Sequence, residues 1–488
     1  MTNSNRQRII LGLKIKFLRD QKGWNFDEMS RRSGISPSYL NEIEKGKKSP
    51  REDSLQRIAA ALETNVEQLT SERMPPSLAP VEALLQSRFL QELPWEFFGI
   101  ELQQVVDIIV KAPYRVNAFI SAMLEIARNY SLRNEHFFLA ALRAYQELRM
   151  NYFEEIEQRC DALTQECGLL DIPLKTEDLE RLLLEKYGVQ AQREGLEAYP
   201  ELLELRSVFL PNERKLLLRG DLSPEQRRFQ LAKEIGFQAL ALAPRPYCST
   251  LLKVDSFELA LNNYKAAYFA VCLLVNGKAF AQDLQELFQS AVWRPERIRA
   301  MLDRYRVSPD ILFQRFNVLS PMFGLRQIFF LRSIYHPERD EFEIDKELHL
   351  NRRHSPHATA LQEHYCRRWI GLRMLKDPSE ARIGLQRVVF AEEQTEYLCF
   401  AASKPNESPS GKRVSVTIGI QLDDELRQVI RFWDDPALHP VQAVNVTCER
   451  CNIADCRERS APPLWVERRE QRRKILQSLE QLISQTPS

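Results

Sequence analysis

Through most of the first 170 residues, apolar positions recur three and four apart, the spacing that gathers them on one face of an α-helix. The stretches "VVDIIV", "AFISAMLEIARNY" and "FFLAALRAYQELRMNYFEEIE" carry this period with charges between. Residues 8–70 read as five short helices with sharp punctuation, and "SERMPPSLAP" at 71–80 has the Pro and Ser content of a linker. Between 169 and 318, short strand-like pieces ("SVFL", "RKLLL") mix with strong helices. From 325 the texture becomes alternating or β-rich in "RQIFFLRSIY", "EFEIDKELHL", "YLCFAAS" and "RVSVTIGIQL". The tail "LWVERREQRRKILQSLEQLIS" is a basic amphipathic helix, read as packing on its own domain with a solvated outer face. The pattern predicts a multidomain chain, mainly α with an α+β C-terminal part. Its divisions are a five-helix module (1–72), a linker (73–81), a helical spacer suited to dimerisation (82–168), an α+β domain (169–320) and a β-rich domain (321–488).

Composition narrows the function classes. Of 488 residues, 44% are hydrophobic and 28% charged, an ordinary globular balance. The net charge of +1 excludes a uniformly basic nucleic-acid coat, so any such binding must be local. The first 73 residues carry 14 Lys and Arg against 10 Asp and Glu, while the remainder is slightly acidic; this asymmetry points DNA towards the N-terminal module. The longest apolar run, "AAYFAVCLLV", has 10 residues, too few to span a bilayer, and the start lacks the apolar core of a signal peptide. The expectation is a cytoplasmic protein with no membrane partner. In that compartment the nine cysteines are read for metal or redox chemistry rather than for disulfides.

The densest local pattern is "NFDEMSRRSGISPSYLNEIEKGKKSPREDSLQRIAAAL". Asn25 suits the cap of a short helix ending near Arg32, Gly34 permits a tight turn, and Ser36 caps a second helix with Pro37 at its first position. Leu40 and Ile43 face inward, leaving Ser36, Ser38, Tyr39, Asn41 and Glu42 outward, with Lys45, Lys47 and Lys48 just beyond. This resembles the Xre/Cro-type, lambda-repressor-like helix-turn-helix family. The resemblance implies that 36–44 is the recognition helix, entering the major groove of a double-stranded operator by its N-terminal half. Asn41 would read an adenine edge, with weaker readout from Ser38 and Glu42. Asn25, Lys45, Lys47 and Lys48 would position the module on phosphate. One such module usually binds too weakly alone, so a homodimer is expected.

A second cluster, "CERCNIADCRERSAPP", puts Cys448, Cys451 and Cys456 within nine residues. Two thiolates in C-x2-C converge on one metal and the third can swing in. Cys366 in "EHYCRRWIGL" is the candidate fourth ligand, with His354, His357 or His364 as substitutes. Zinc and an iron–sulfur cluster fit four thiolates equally well. Cys160, Cys167, Cys248, Cys272 and Cys399 lie in apolar surroundings and are read as small core residues.

"EYLCFAAS", "VSVTIGIQL", "VIRFWDDPAL", "VNVTCERCNIADCRERSAPP" and "EHYCRRW" look like the C-terminal domain of the short-chain fatty acyl-CoA regulator family. In that family an Xre module precedes an IrrE-like metallopeptidase segment, and the order here is similar over essentially the whole chain. The resemblance implies a transcription regulator, not an enzyme, that senses short-chain acyl-CoA and controls fatty-acid, acetate or propionate metabolism. It also favours an iron–sulfur (4Fe-4S) cluster at the four cysteines, with zinc second. The alternative is a redox- or iron-sensing regulator with no acyl-CoA ligand.

Within the middle segment, "RFQLAKEIGFQAL" is similar to the peptidase core helix, yet Lys233 and Phe237 stand where its two histidines would. Only Glu234 remains, and no carboxylate follows near 263–265. An ammonium and a phenyl ring cannot ligate zinc, so this α+β domain is expected to lack metal ligands and peptidase activity. A cleft without its metal could receive an acyl chain. Arg228, Lys233, Arg367, Arg368, Arg457 and Arg459 are the candidate partners for the phosphates of coenzyme A.

Overall fold

The computed structural model describes residues 3–71, 134–202, 204–249, 254, 256–349, 363–376, 383–391, 394–404 and 411–485. The linker expected at 73–81, most of the spacer, and His354 and His357 lie outside them. The chain divides into two compact units, Met1–Tyr145 with Lys253–Ala260, and Gln146–Leu252 with Leu261–Ser488.

In the first unit, the five expected helices are α1 (Asn3–Gln21), α2 (Phe26–Ser33), α3 (Pro37–Glu44), α4 (Glu52–Ala61) and α5 (Val66–Thr70). Leu11, Ile15, Met29, Ile35, Leu40, Ile43 and Ile58 form their shared core. α1 approaches the end of α3 closely: a Cβ on Gly12 would collide with the Ile43 carbonyl, so only glycine fits there. α6 (Asn134–Leu148) continues the helical texture after the undescribed stretch.

The second unit begins with α7 (Glu154–Glu166), which the apolar period groups with the spacer. It packs instead on the downstream segment, because Glu157 forms a two-pronged ion pair with Arg315 at 2.5 and 2.6 Å. Arg315, 1% exposed, also donates to the Val275 carbonyl, and Tyr268 and Cys272 donate to the same Glu157 carboxylate. Burial pushes that carboxyl up, but the guanidinium and the two further donors outweigh it and hold Glu157 below its ordinary range.

Next come α8 (Thr176–Tyr187) and a small sheet of β1 (Gln190–Gln192), β2 (Ser207–Leu210) and β3 (Lys215–Leu218), in the order β1-β3-β2. α9 (Pro224–Ala239) starts in a capping box of Ser223 and Gln226 and is buried almost all round. α10 (Phe257–Leu274) lies against it so closely that a Cβ on Gly236 would meet the Ala266 carbonyl at 2.8 Å. The helices α11 (Gly277–Phe288), α12 (Pro295–Tyr305) and α13 (Pro309–Gln314) follow, with a further short helical turn at Leu319–Phe323.

The four strands expected beyond 325 appear as β4 (Ile328–His336), β5 (Glu341–His349), β7 (Glu396–Ser403) and β8 (Arg413–Gln421). Two more, β6 (Ile383–Phe390) and β9 (Gln442–Val444), complete a sheet ordered β5-β4-β8-β7-β6-β9. On one face a short helix, α14 (Ile370–Lys376), packs with Trp369 on Phe329, Leu331 and Cys399. On the other face Phe400 meets Phe316 and Trp293. Both sides of β7 are thus covered, and its sequence is accordingly a continuous apolar run. Segments 169–320 and 321–488 therefore share one core. The outer strand β5 alternates acidic residues with Phe342, Ile344 and Leu348.

The terminal helix α15 (Leu464–Gln485) is present as the pattern predicts. Its side chains are mostly exposed, Ile475 at 60% and Leu479 at 49%, so the expected packing of its apolar face on its own domain is not seen among the described residues.

Removing Glu157 leaves a buried guanidinium unpaired. Glu157→Ala is expected to destabilise this unit by about 3–5 kcal/mol, read as a lower calorimetric midpoint. Replacing both partners with apolar residues (Glu157→Leu with Arg315→Met) should recover most of that loss; a double variant as unstable as the single one contradicts the account.

Candidate nucleic-acid interface and thiol cluster

In the first unit the turn between α2 and α3 follows from its residues. The Asn25 carboxamide accepts the Glu28 N–H at 2.9 Å, and Gly34 ends α2 at φ 66°. The Ser36 hydroxyl accepts the Tyr39 N–H at 3.3 Å, with Pro37 in the first turn. Leu40 and Ile43 are fully buried, while Ser36 and Ser38 are exposed and Tyr39, Asn41 and Glu42 are half-buried. Glu42 also shapes the lysine turn. Its carboxylate pairs with Lys48 at 2.6 Å and its carbonyl accepts the Lys47 and Lys48 N–H groups. Lys45, Lys47 and Lys48 are exposed on that turn.

The sequence did not reveal how α3 is fixed. Glu44, 3% exposed, takes the Arg19 guanidinium on both oxygens at 2.7 and 2.9 Å, and Arg19 also donates to the Trp24 carbonyl at 2.6 Å. Burial raises the Glu44 carboxyl even with Arg19 upon it. The two-oxygen fork ties the end of α3 to α1.

On α9, no metal-ligating pair faces Glu234 among the described residues. Its carboxylate holds the Arg245 guanidinium at 2.8 and 2.6 Å and accepts from Gln238 at 2.7 Å. Arg245 lies 3.8 Å over the Phe237 ring and 4.5 Å over Phe209. A fixed organic cation thus sits against the acid. Lys233 lines the same small pocket and donates to the Ser249 carbonyl at 3.3 Å. Burial, then Lys346 and Arg245, push its amine down to about 8.

At the C-terminal cysteines, two chain segments are zipped together. Tyr365 bridges to Thr447, the Cys366 N–H donates to Val446 and the Cys448 N–H to His364. Arg450 grips Glu363 at 2.8 Å and His364 Nδ1 meets Glu449 at 2.7 Å, so His364 is already engaged. Arg459 donates to the carbonyls of Cys448 and Cys451 at 3.1 and 3.3 Å and to that of Ile453. The Ser460 N–H reaches the Cys448 sulfur at 3.4 Å.

Burial pushes the Cys366 thiol up to about 11; amides at Asn445 and Arg368 oppose this, and Cys451 and Cys448 add to it. Burial also raises Cys451, with Cys456 and Cys448 contributing. All four sulfurs are therefore within electrostatic reach of a neighbour in the set. Among the described residues, no three His, Cys, Asp or Glu side chains already form a group that could hold a metal ion. The backbone convergence is in place, and ligation would need the thiols to turn inward.

The six candidate phosphate partners are scattered. Arg228 is buried and donates to the carbonyls of Leu174 and Arg306. Arg367 pairs with Asp340 at 3.1 Å, Arg368 faces the Gln442 amide, Arg457 is exposed, and Arg459 is engaged by the cysteine loop.

A helix-turn-helix family model matches residues 15–69, and one for the IrrE N-terminal-like domain matches residues 184–317. The HTH-type transcriptional regulator SinR of Bacillus licheniformis is 31% identical over 65 residues, covering 13% of this chain and 59% of the relative. SinR of Bacillus subtilis (strain 168) gives the same figures. The chain thus spans about three fifths of the length of these curated relatives. A solved Mycobacterium tuberculosis transcriptional regulator aligns with a TM-score of 0.47 and 18% identity, over 66% of this chain and 92% of that one. No described helix is long and apolar enough to cross a membrane.

The Lys233 amine titrates near 8 when folded, against an ordinary 10.5. Between those values the unfolded chain binds more protons, so stability rises with pH across the window. The penalty, on the order of 3 kcal/mol, is complete below about 8 and gone above about 10.5. Lys233→Met should therefore raise the thermal midpoint at pH 7, by a margin that shrinks from pH 8 to 10. A margin independent of pH contradicts the assignment.

Proposed function

We propose that this chain is a DNA-binding transcription regulator whose helix-turn-helix docks on an operator and whose second unit senses a metabolite, short-chain acyl-CoA. The observation that carries the DNA reading is α3: capped, fixed from behind by Arg19–Glu44, and presenting Ser38 and Asn41 beside an exposed lysine turn. Such a module binds as a homodimer, with half-sites about one helical turn apart. Lys45 and Lys47 contact phosphate, and Asn41 reads a base edge. In fluorescence anisotropy with operator DNA, Lys47→Ala should weaken binding to every sequence and lower the salt slope by about 1. Asn41→Ala should instead relax preference at one base pair. Equal loss of sequence preference in both variants would falsify this division of roles.

The donor set at the cysteine loop fits a thiophilic metal centre. The zipped backbone brings the 363–366 and 446–456 segments together, and the Ser460 N–H donates to the Cys448 sulfur at 3.4 Å. Cys366, Cys448, Cys451 and Cys456 would hold an iron–sulfur cluster, or zinc as the second choice. Such a centre would supply a covalent tie between the 363–366 and 446–456 segments and, for iron–sulfur, redox sensitivity. Anaerobically purified protein should be coloured and contain iron; Cys366→Ser should lose the metal, while the core substitution Cys399→Ser should keep it. Colourless protein with stoichiometric zinc would select the second choice. DNA affinity that responds to oxidation and not to added acyl-CoA would favour the redox-sensing reading.

A further inference from the structure

A cleft of about 1020 Å³ opens in the second unit where the starts of α8 and α9, the helix α12 and the ends of β6 and β7 meet. This is the size range of metabolite sites. Its walls carry five cations, Lys175, Arg228, Arg299, Arg306 and Lys404, against three carboxylates, Glu177, Glu225 and Asp303. The cleft is therefore positive by two formal charges. Leu174, Leu302, Val307 and Ile383 give it an apolar side.

Two further features point to an anion. Lys175, the residue preceding α8, makes no side-chain capping bond, so the first-turn N–H groups of this 12-residue helix receive no cap from it. Arg228 is only 5% exposed; two of its nitrogens donate to the carbonyls of Leu174 and Arg306, but its Nε–H is buried without a partner. Burial lowers its proton affinity, Arg306 lowers it further, and Glu225 only partly offsets them. A buried cation with one N–H left over, on a cleft wall whose cations outnumber its carboxylates (Glu177 of the α8 first turn among them), suits a bound phosphate.

We propose that this cleft is the binding site of a small phosphate-bearing metabolite, with the anion at the α8 start among the cations and the remainder against Leu302, Val307 and Ile383. The proposal rests on reading the second unit as the sensory half of the regulator. It differs from the sequence expectation in drawing only Arg228 from the six cations named there, and in leaving the small pocket at Glu234 out of the site.

Isothermal titration calorimetry of the full chain with inorganic pyrophosphate, sulfate as the control anion and no DNA present, tests it. The expected result is saturable pyrophosphate binding, weakened at least about tenfold by Arg299→Ala with Lys404→Ala, with circular dichroism unchanged. Both line the cleft and carry none of the contacts described for the fold. No heat with the wild-type chain, or equal affinity in the double variant, overturns the proposal. Sulfate binding as tightly as pyrophosphate also overturns it, as an adventitious ion only. Because DNA is absent, an operator footprint without pyrophosphate binding removes the cleft assignment alone, and the reverse result removes the DNA reading alone.

Discussion

A guanidinium taken out of water must find acceptors on every side, and Arg315 finds them in three separated parts of the chain. Glu157 comes from α7, the Val275 carbonyl from the end of α10, and the Asn317 amide from its own turn. Gly277 lies so close that a Cβ there would collide with an Arg315 nitrogen. The ion pair thus dictates where α7 and the turn after α10 can lie. Once these are fixed, Phe316 is set against Phe400 of the sheet. The shared core of 169–320 and 321–488 follows from that chain of contacts.

In the segment that matches the IrrE N-terminal-like model, the Glu234 carboxylate is met by a cation of the chain itself. The counter-charge of Glu234 is a side chain of the same chain. Arg245 brings its own planar fork and the two rings it stacks upon, Phe237 and Phe209. Phe237 is a platform for the cation. With so little free space left among these side chains, the large cleft at the start of α9 is the roomier place for a ligand.

Elements that repeat a local rule were legible in the sequence. Caps at Asn25 and Ser36, the turn at Gly34 and the inward pair Leu40 and Ile43 follow from neighbours within a few residues. The strongly alternating strands were legible for the same reason. β6 was not, because "IGLQRVVF" is half-buried along most of its length and carries neither clean alternation nor a solid apolar run. Partnerships across long separations were also hidden. Nothing local distinguishes Glu157 from other acids on α7, or shows that Glu44 turns inward to Arg19, or that Arg245 will fold back on Glu234. The cysteine triplet was visible by spacing, but its alignment with 363–366 depends on the Tyr365–Thr447 bridge and the Glu363–Arg450 pair.

The outer strand β5 has one side paired to β4 and, among the described residues, no strand on its other side. Along it run Glu341, Glu343, Asp345, Lys346 and Glu347. A second β-edge laid alongside would have to crowd like charges and strip their hydration. Despite a long hydrogen-bonding rim, β5 therefore carries its own charged guard against edge-to-edge pairing.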